Sequence, residues 1–169
     1  MPMKKYLYLI ATREILAPTS LFRFGITESI ELRILNQFET LKTPFQIIEG
    51  IGDLEVGAKI QLYQRDDCSN EVAFLSHLLL PSGTKALSND LFGTLNRLAI
   101  SHEIAENIGV GYNVGYNYFG SGKGDLVYSL ALGFAVTDKT SLFIESYGDL
   151  IEFNDLMANF DAGFTYLLN

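Results

Sequence analysis

The chain is short of basic residues, nearly free of cysteine and histidine, and lacks any long apolar run, and each shortage removes a class of protein. Twelve Lys and Arg stand against twenty Asp and Glu, a net charge of -8. A nucleic-acid binder needs the opposite balance to neutralise phosphates, so no nucleic-acid partner is expected. No stretch approaches the ~18 consecutive apolar residues of a transmembrane helix, so a helical membrane protein is excluded. The one cysteine, Cys68, has no mate for an intramolecular disulfide and sits in a polar turn, Arg65 to Asn70, without a ligand set around it. It reads as incidental. The start is equally sparse: Lys4 and Lys5 precede only six apolar residues, Tyr6 to Ala11, before Thr12, Arg13 and Glu14. That is too short for a signal peptide, which implies either that a signal has been removed or that the chain begins inside the natural protein.

Catalytic arrangements are missing as well. The two histidines, His77 and His102, lie in no metal-ligand or nucleophile-base spacing and read as structural. Ser76 and His77 are neighbours on an expected strand, so they point to opposite faces and cannot act as a pair. There is no Gly-x-Ser-x-Gly. Gly120-Ser121-Gly122-Lys123-Gly124 lacks the spacing of a phosphate-binding loop and precedes a strand instead of a helix, so it reads as a connection. No enzyme, cofactor or metal is expected.

What is present is alternation. In 52–63, Leu54, Val56, Ala58, Ile60 and Leu62 share one phase, and Asp53, Glu55, Gly57, Lys59 and Gln61 the other. In 108–118, Ile108, Val110, Tyr112, Val114, Tyr116 and Tyr118 oppose Gly109, Gly111, Asn113, Gly115 and Asn117. Leu126, Tyr128, Leu130, Leu132, Phe134 and Val136 oppose Val127, Ser129, Ala131, Gly133 and Ala135. A period of two places such sets on opposite faces of a strand, whereas helical spacing would scatter them.

The same reading along the chain gives about nine strands, over 15–26, 29–42, 50–63, 71–81, 92–104, 107–119, 125–137, 140–148 and 157–168. Many are longer than the ~5 to 6 residues usual in soluble sheets and match the ~9 to 11 a tilted strand needs to cross a bilayer. Connections at 27–29, 105–107 and 137–139 are tight, and those at 42–49, 82–91 and 148–157 are longer, with 65–70 and 120–124 departing from this pattern. Short turns at one end and long loops at the other are the outer-membrane pattern, with the short ones periplasmic. The expected fold is therefore all-β, an antiparallel up-and-down transmembrane β-barrel in one domain over 1–169, with 1–14 an extra strand or a disordered start.

The polar phase collects the expected lumen lining: Arg23, Glu31, Arg33, Gln37, Glu39, Asp53, Glu55, Lys59, Gln61, Arg97, Glu103, Asn113, Asn117 and Asp161. Adjacent strands supply opposite signs, so mutual neutralisation needs no solute; a lining that selects a solute is the second reading. The apolar phase, with Phe22, Phe24, Ile30, Leu32, Ile34, Leu98 and Ile100 joining the rows above, wants lipid or a second sheet. Tyr and Phe residues near strand ends fit the aromatic girdles of membrane barrels. The rival is a soluble barrel or sandwich whose apolar phase points inward, a calyx for an apolar ligand. A lining rich in Gly and Ala with both charge signs suits a crowded lumen better than a wet outer face.

The succession Gly52-Asp53-Leu54-Glu55-Val56-Gly57-Ala58-Lys59, Leu80-Pro81-Ser82-Gly83, Gly111-Tyr112-Asn113-Val114-Gly115-Tyr116-Asn117, Tyr128-Ser129-Leu130-Ala131-Leu132-Gly133, 137–148 and 159–168 resembles the outer-membrane transporter family whose domain is named for the MetA pathway of phenol degradation. The resemblance covers most of 15–169. It implies an outer-membrane barrel of roughly a dozen strands that passes small hydrophobic or aromatic solutes, located in the bacterial outer membrane with lipid as its surroundings. It implies no catalytic residue. Against that family the chain lacks an acidic, proline-containing lead into the first strand and the closing strands, so about three strands are expected to be missing.

Overall fold

A computed structural model of the chain describes residues 13–16, 19–42, 45–67 and 69–168. Residues 1–12 and Cys68, and with them the expectations for the start of the chain and for the cysteine, lie outside the described residues. Twelve strands follow in chain order: β1 (Arg13–Leu16), β2 (Ser20–Gly25), β3 (Ile30–Asn36), β4 (Phe38–Lys42), β5 (Ile47–Ile51), β6 (Leu54–Gln64), β7 (Asn70–Leu80), β8 (Gly93–Ala105), β9 (Ile108–Tyr118), β10 (Asp125–Thr137), β11 (Thr140–Ile151) and β12 (Asp155–Tyr166). All pairs are antiparallel. Nine strands form one sheet in the order β12-β11-β10-β9-β8-β7-β6-β3-β2, and three form a second in the order β1-β4-β5.

The large sheet is the expected up-and-down meander, but it is open: no pairing joins β2 to β12 among the described residues. The first three expected strands are each broken in two. Their far halves, β1, β4 and β5, pair among themselves as a small sheet continuing β2, β3 and β6. The break falls at Gln37 and at Gly52–Asp53, where the Gly52 N–H donates to the Gln37 carbonyl at 2.8 Å instead of continuing the ladder. Residues 42–49 are consequently not a long loop, since Lys42 already faces Ile47 across the β4–β5 pair.

The expected long connection at 148–157 is also corrected. β11 runs to Ile151 and β12 starts at Asp155, and between them Glu152 and Phe153 take φ of 50° and 60°. The Asn154 N–H donates to the Ile151 carbonyl at 2.9 Å, closing a tight turn with both central residues left-handed, the twist that suits a two-residue hairpin. The loop–turn asymmetry therefore rests mainly on 81–92 and on the small sheet.

Register confirms the two phases. Glu31, Lys59, Leu75, Arg97, Gly115, Val127 and Asp149 form one continuous cross-strand row, and Leu32, Ala58, Ser76, Asn96, Tyr116, Leu126 and Leu150 form the next. Phe22, Phe24, Ile60, Val114, Leu130, Ile144, Phe160 and Phe164 are all exposed, and all belong to the apolar phase. The buried apolar residues are Leu41, Ala73, Leu79, Leu87 and Val127, and no large side chain among the described residues is fully buried. Ala73, Leu79 and Val127 sit on the polar phase. The sheet thus turns its polar phase inward and leaves its apolar phase outermost, the reverse of a soluble barrel.

Candidate lumen and mouth cleft

The lining face is built around bulky polar side chains seated over glycines. A Cβ at Gly57 would strike the His77 ring, and one at Gly115 would meet Arg97 Cδ at 2.7 Å. Glycine at these cross-strand positions gives each long side chain room to lie flat on the neighbouring strand. Packing thereby accounts for glycine at 57 and 115, whereas a Cβ at Gly111 on the same phase would meet nothing within 4 Å.

On β2 and β3, Arg23 Nη2 lies 2.6 Å and Arg33 Nε 2.7 Å from the two oxygens of Glu31, a three-residue ion network in which Arg33 and Glu31 are mostly buried and Arg23 is half exposed. Lys59 stands directly across β3–β6 from Glu31 and lines a shallow hollow with it and Gln61. Glu55 Oε2 lies 3.1 Å from His77 Nδ1. Arg97 Nη1 donates to Asn117 Oδ1 at 2.7 Å, and Asn113 Nδ2 to Ser129 Oγ at 2.6 Å. Opposite signs thus meet across strands at Arg23 and Glu31, while Arg97 and Asn113 are held by neutral side chains of the next strand.

The remaining predicted residues fall elsewhere. Glu103 is exposed near the end of β8, beside a hollow lined by His102, Gly109 and Phe143. Asp161 is exposed on edge strand β12, directly across from Glu145, two carboxylates face to face. Glu39 belongs to the small sheet, with Oε1 against Gly52, and Asp53 sits at the strand break. Asp67, in the connection 65–69, accepts from the Ser69 hydroxyl at 2.6 Å and the Ser69 N–H at 3.0 Å, and these donors hold its carboxyl below the usual range.

At the end of the sheet carrying the longer connections lies an open cleft of about 680 Å³. Its walls reach from Thr19 beside β2 to Ile151 on β11, so the sheet wraps around it. Glu39, Asp53, Glu55, Asp125 and Glu152 supply its carboxylates, and Leu35, Leu79, Leu87, Phe119 and Ile151 its apolar surface. Sequence reasoning found Glu39, Asp53 and Glu55 but missed Leu79, Leu87 and Asn89. β7 is apolar on both faces, so its lining members Leu75 and Leu79 cannot be told from Phe74 and Leu78 by alternation; only pairing assigns them. Ser76 and His77 do point to opposite faces, Ser76 bonding Asn96 at 2.8 Å on the outer one.

The family described as "Putative MetA-pathway of phenol degradation" matches residues 3–169. The chain belongs to this family. No curated protein and no solved structure matches it. The description of the family, and nothing finer, is what links it to phenol degradation. In this MetA-family chain no cluster of His, Cys, Asp and Glu able to hold a metal ion occurs among the described residues. No helix of the described residues is long and apolar enough to cross a membrane, which does not bear on a chain that crosses with strands.

Proposed function

We propose that the protein is an outer-membrane β-barrel channel for passive passage of small hydrophobic or aromatic compounds, in the bacterial outer membrane, with lipid around it and no catalytic step. The observation that carries this reading is the exposed apolar phase. Monomeric soluble proteins rarely leave contiguous apolar patches beyond a few hundred Å², yet here whole strand faces of Phe, Leu, Ile, Val and Tyr lie outermost while charge lines the concave side. A bilayer removes that mismatch. Strands of 11 to 13 residues from β6 to β12 match the thickness to be crossed. Family membership and the mixed acidic and apolar lining of the cleft support small-molecule passage.

A soluble calyx would need the apolar phase inside, and that arrangement is opposite to the one described above. A structural barrel without transport shares every feature except the cleft. The deciding experiment expresses the chain, tests its partition into detergent or lipid, and looks for heat-modifiable migration with a β-rich spectrum. Conductance and solute uptake in reconstituted vesicles follow. A monodisperse monomer without detergent would overturn the membrane reading; insertion without permeability would leave only the structural barrel.

A further inference from the structure

The connection 81–92 between β7 and β8 folds back onto the wall instead of standing free. The Asp53 carboxylate grips it at two points, Oδ1 accepting from the Gly83 N–H at 3.0 Å and Oδ2 from the Asn89 N–H at 2.7 Å. Thr84 docks on the end of β5, its N–H donating to the Ile51 carbonyl at 2.8 Å and its hydroxyl accepting from the Ile51 N–H at 3.1 Å. Asn89 Nδ2 donates to the Phe119 carbonyl at the end of β9, so the connection is tied to both flanks of the cleft. Inside it, the Leu87 and Ser88 N–H groups both donate to the Thr84 carbonyl, at 2.7 and 2.8 Å, making one tight turn. That turn delivers Leu87 into the cleft with 5% of its surface exposed, among the most buried side chains of the described residues. Gly83 permits the approach: a Cβ there would lie 2.8 Å from the Gly52 carbonyl carbon and 2.9 Å from the Asp53 nitrogen.

We propose that 81–92 is a fixed constriction of the mouth, clamped by Asp53, in which Leu87 sets the width and the apolar character of the opening. This rests on the channel reading above. A surface loop free of such a role has no cause to give up solvation of its backbone and bury Leu87 against a charged wall while Leu91 and Phe92 of the same segment stay exposed. An apolar side chain narrowing a pore mouth favours small apolar solutes over hydrated ions, because water and ions must shed contacts to pass it. Asp53 then acts on the opening through the segment it holds, as a positioning residue.

Two readouts on the full chain in lipid separate the constriction from the channel itself. Planar-bilayer conductance in KCl is expected to rise on the order of twofold for Leu87→Ala and to fall for Leu87→Phe, the size series a hydrophobic constriction dictates. Trypsin reaches the exposed Lys85 in the same segment, and Asp53→Ala, which removes both clamping acceptors, is expected to speed cleavage there on the order of tenfold. Thr84→Val provides a second clamp variant, and heat-modifiable migration checks folding of each. A conducting wild type whose Leu87 variants conduct identically overturns the constriction alone. Unchanged cleavage in Asp53→Ala and Thr84→Val overturns the clamp. A wild type that inserts without conducting overturns the channel reading and the constriction with it.

Discussion

His77 presents Nδ1 to Glu55 Oε2 at 3.1 Å while its Nε2 is buried without a hydrogen-bond partner among the described residues. The imidazole is thus anchored at one nitrogen only, diagonally across the β6–β7 pair. Removing the anchor leaves two unsatisfied ring nitrogens, whereas removing the ring abolishes the orphan along with the bond. Glu55→Ala should therefore destabilise by about 1–3 kcal/mol and His77→Leu by less than about 1 kcal/mol. Urea unfolding in micelles, followed by the heat-modifiable band, measures both; equal losses would contradict the asymmetry.

The glycine seats make a paired prediction. At Gly115 an added Cβ meets Arg97 and the Asn96 carbonyl, while at Gly111 it meets nothing within 4 Å. Gly115→Ala should cost about 1–3 kcal/mol through overpacking against backbone. Gly111→Ala, on the same strand and phase, should be neutral or slightly stabilising. The same unfolding assay compares them, and equal effects would mean that room for Arg97 is not what glycine supplies.

Leu130 and Ser129 are adjacent on β10 and face opposite ways, Leu130 half exposed on the outer phase and Ser129 bonded to Asn113 on the lining. If lipid covers the outer phase, Leu130→Lys should cost insertion about 2–4 kcal/mol near mid-membrane, with Ser129→Lys costing much less. Folded yield in vesicles of graded urea concentration reads the difference. Equal tolerance of lysine at both positions would argue against lipid on the outer face.

Glu31 serves two arginines of unequal burial, Arg33 with 17% and Arg23 with 55% of the side chain exposed. Glu31→Ala strands the mostly buried Arg33 and should destabilise by about 1–3 kcal/mol, whereas Arg23→Ala, which removes the half-exposed arm and leaves Glu31 bonded to Arg33, should cost clearly less. For permeation, Lys59→Glu beside the same carboxylate should shift the reversal potential in a KCl gradient toward cations. An unchanged potential in a properly inserted variant would remove Lys59 from the pore wall.

Asp67 gives a pH-dependent prediction outside the strands. Ser69 donors lower its carboxyl pKa, the hydroxyl being the larger cause. A depressed carboxylate stabilises its turn above the ordinary carboxyl value, and that contribution is lost as pH falls through the lowered one. Ser69→Ala should raise the Asp67 pKa toward the ordinary carboxyl range in an NMR titration.

Some of this was legible in the chain and some was not, for reasons visible at single residues. Arg23, Glu31 and Arg33 alternate with phenylalanines and leucines, so their common face follows from a period of two. Leu75, His77 and Leu79 alternate with Phe74, Ser76 and Leu78, which are nearly as apolar, so nothing local says which set faces in. Asp53 was read as one more lining carboxylate; its contacts with Gly83 and Asn89 lie thirty and thirty-six residues away and leave no trace in the spacing.

The sequence by itself determined the antiparallel strands, their two phases and the absence of metal or nucleophile spacings, because side-chain alternation is set by each residue's own strand geometry. Only the tertiary structure decided that three long strands bend into a second sheet, that 81–92 turns into the mouth, and that β2 and β12 remain unjoined among the described residues. Those outcomes depend on hydrogen bonds between segments distant in the chain, such as Gly52 to Gln37 and Asp53 to Asn89, which no local pattern encodes.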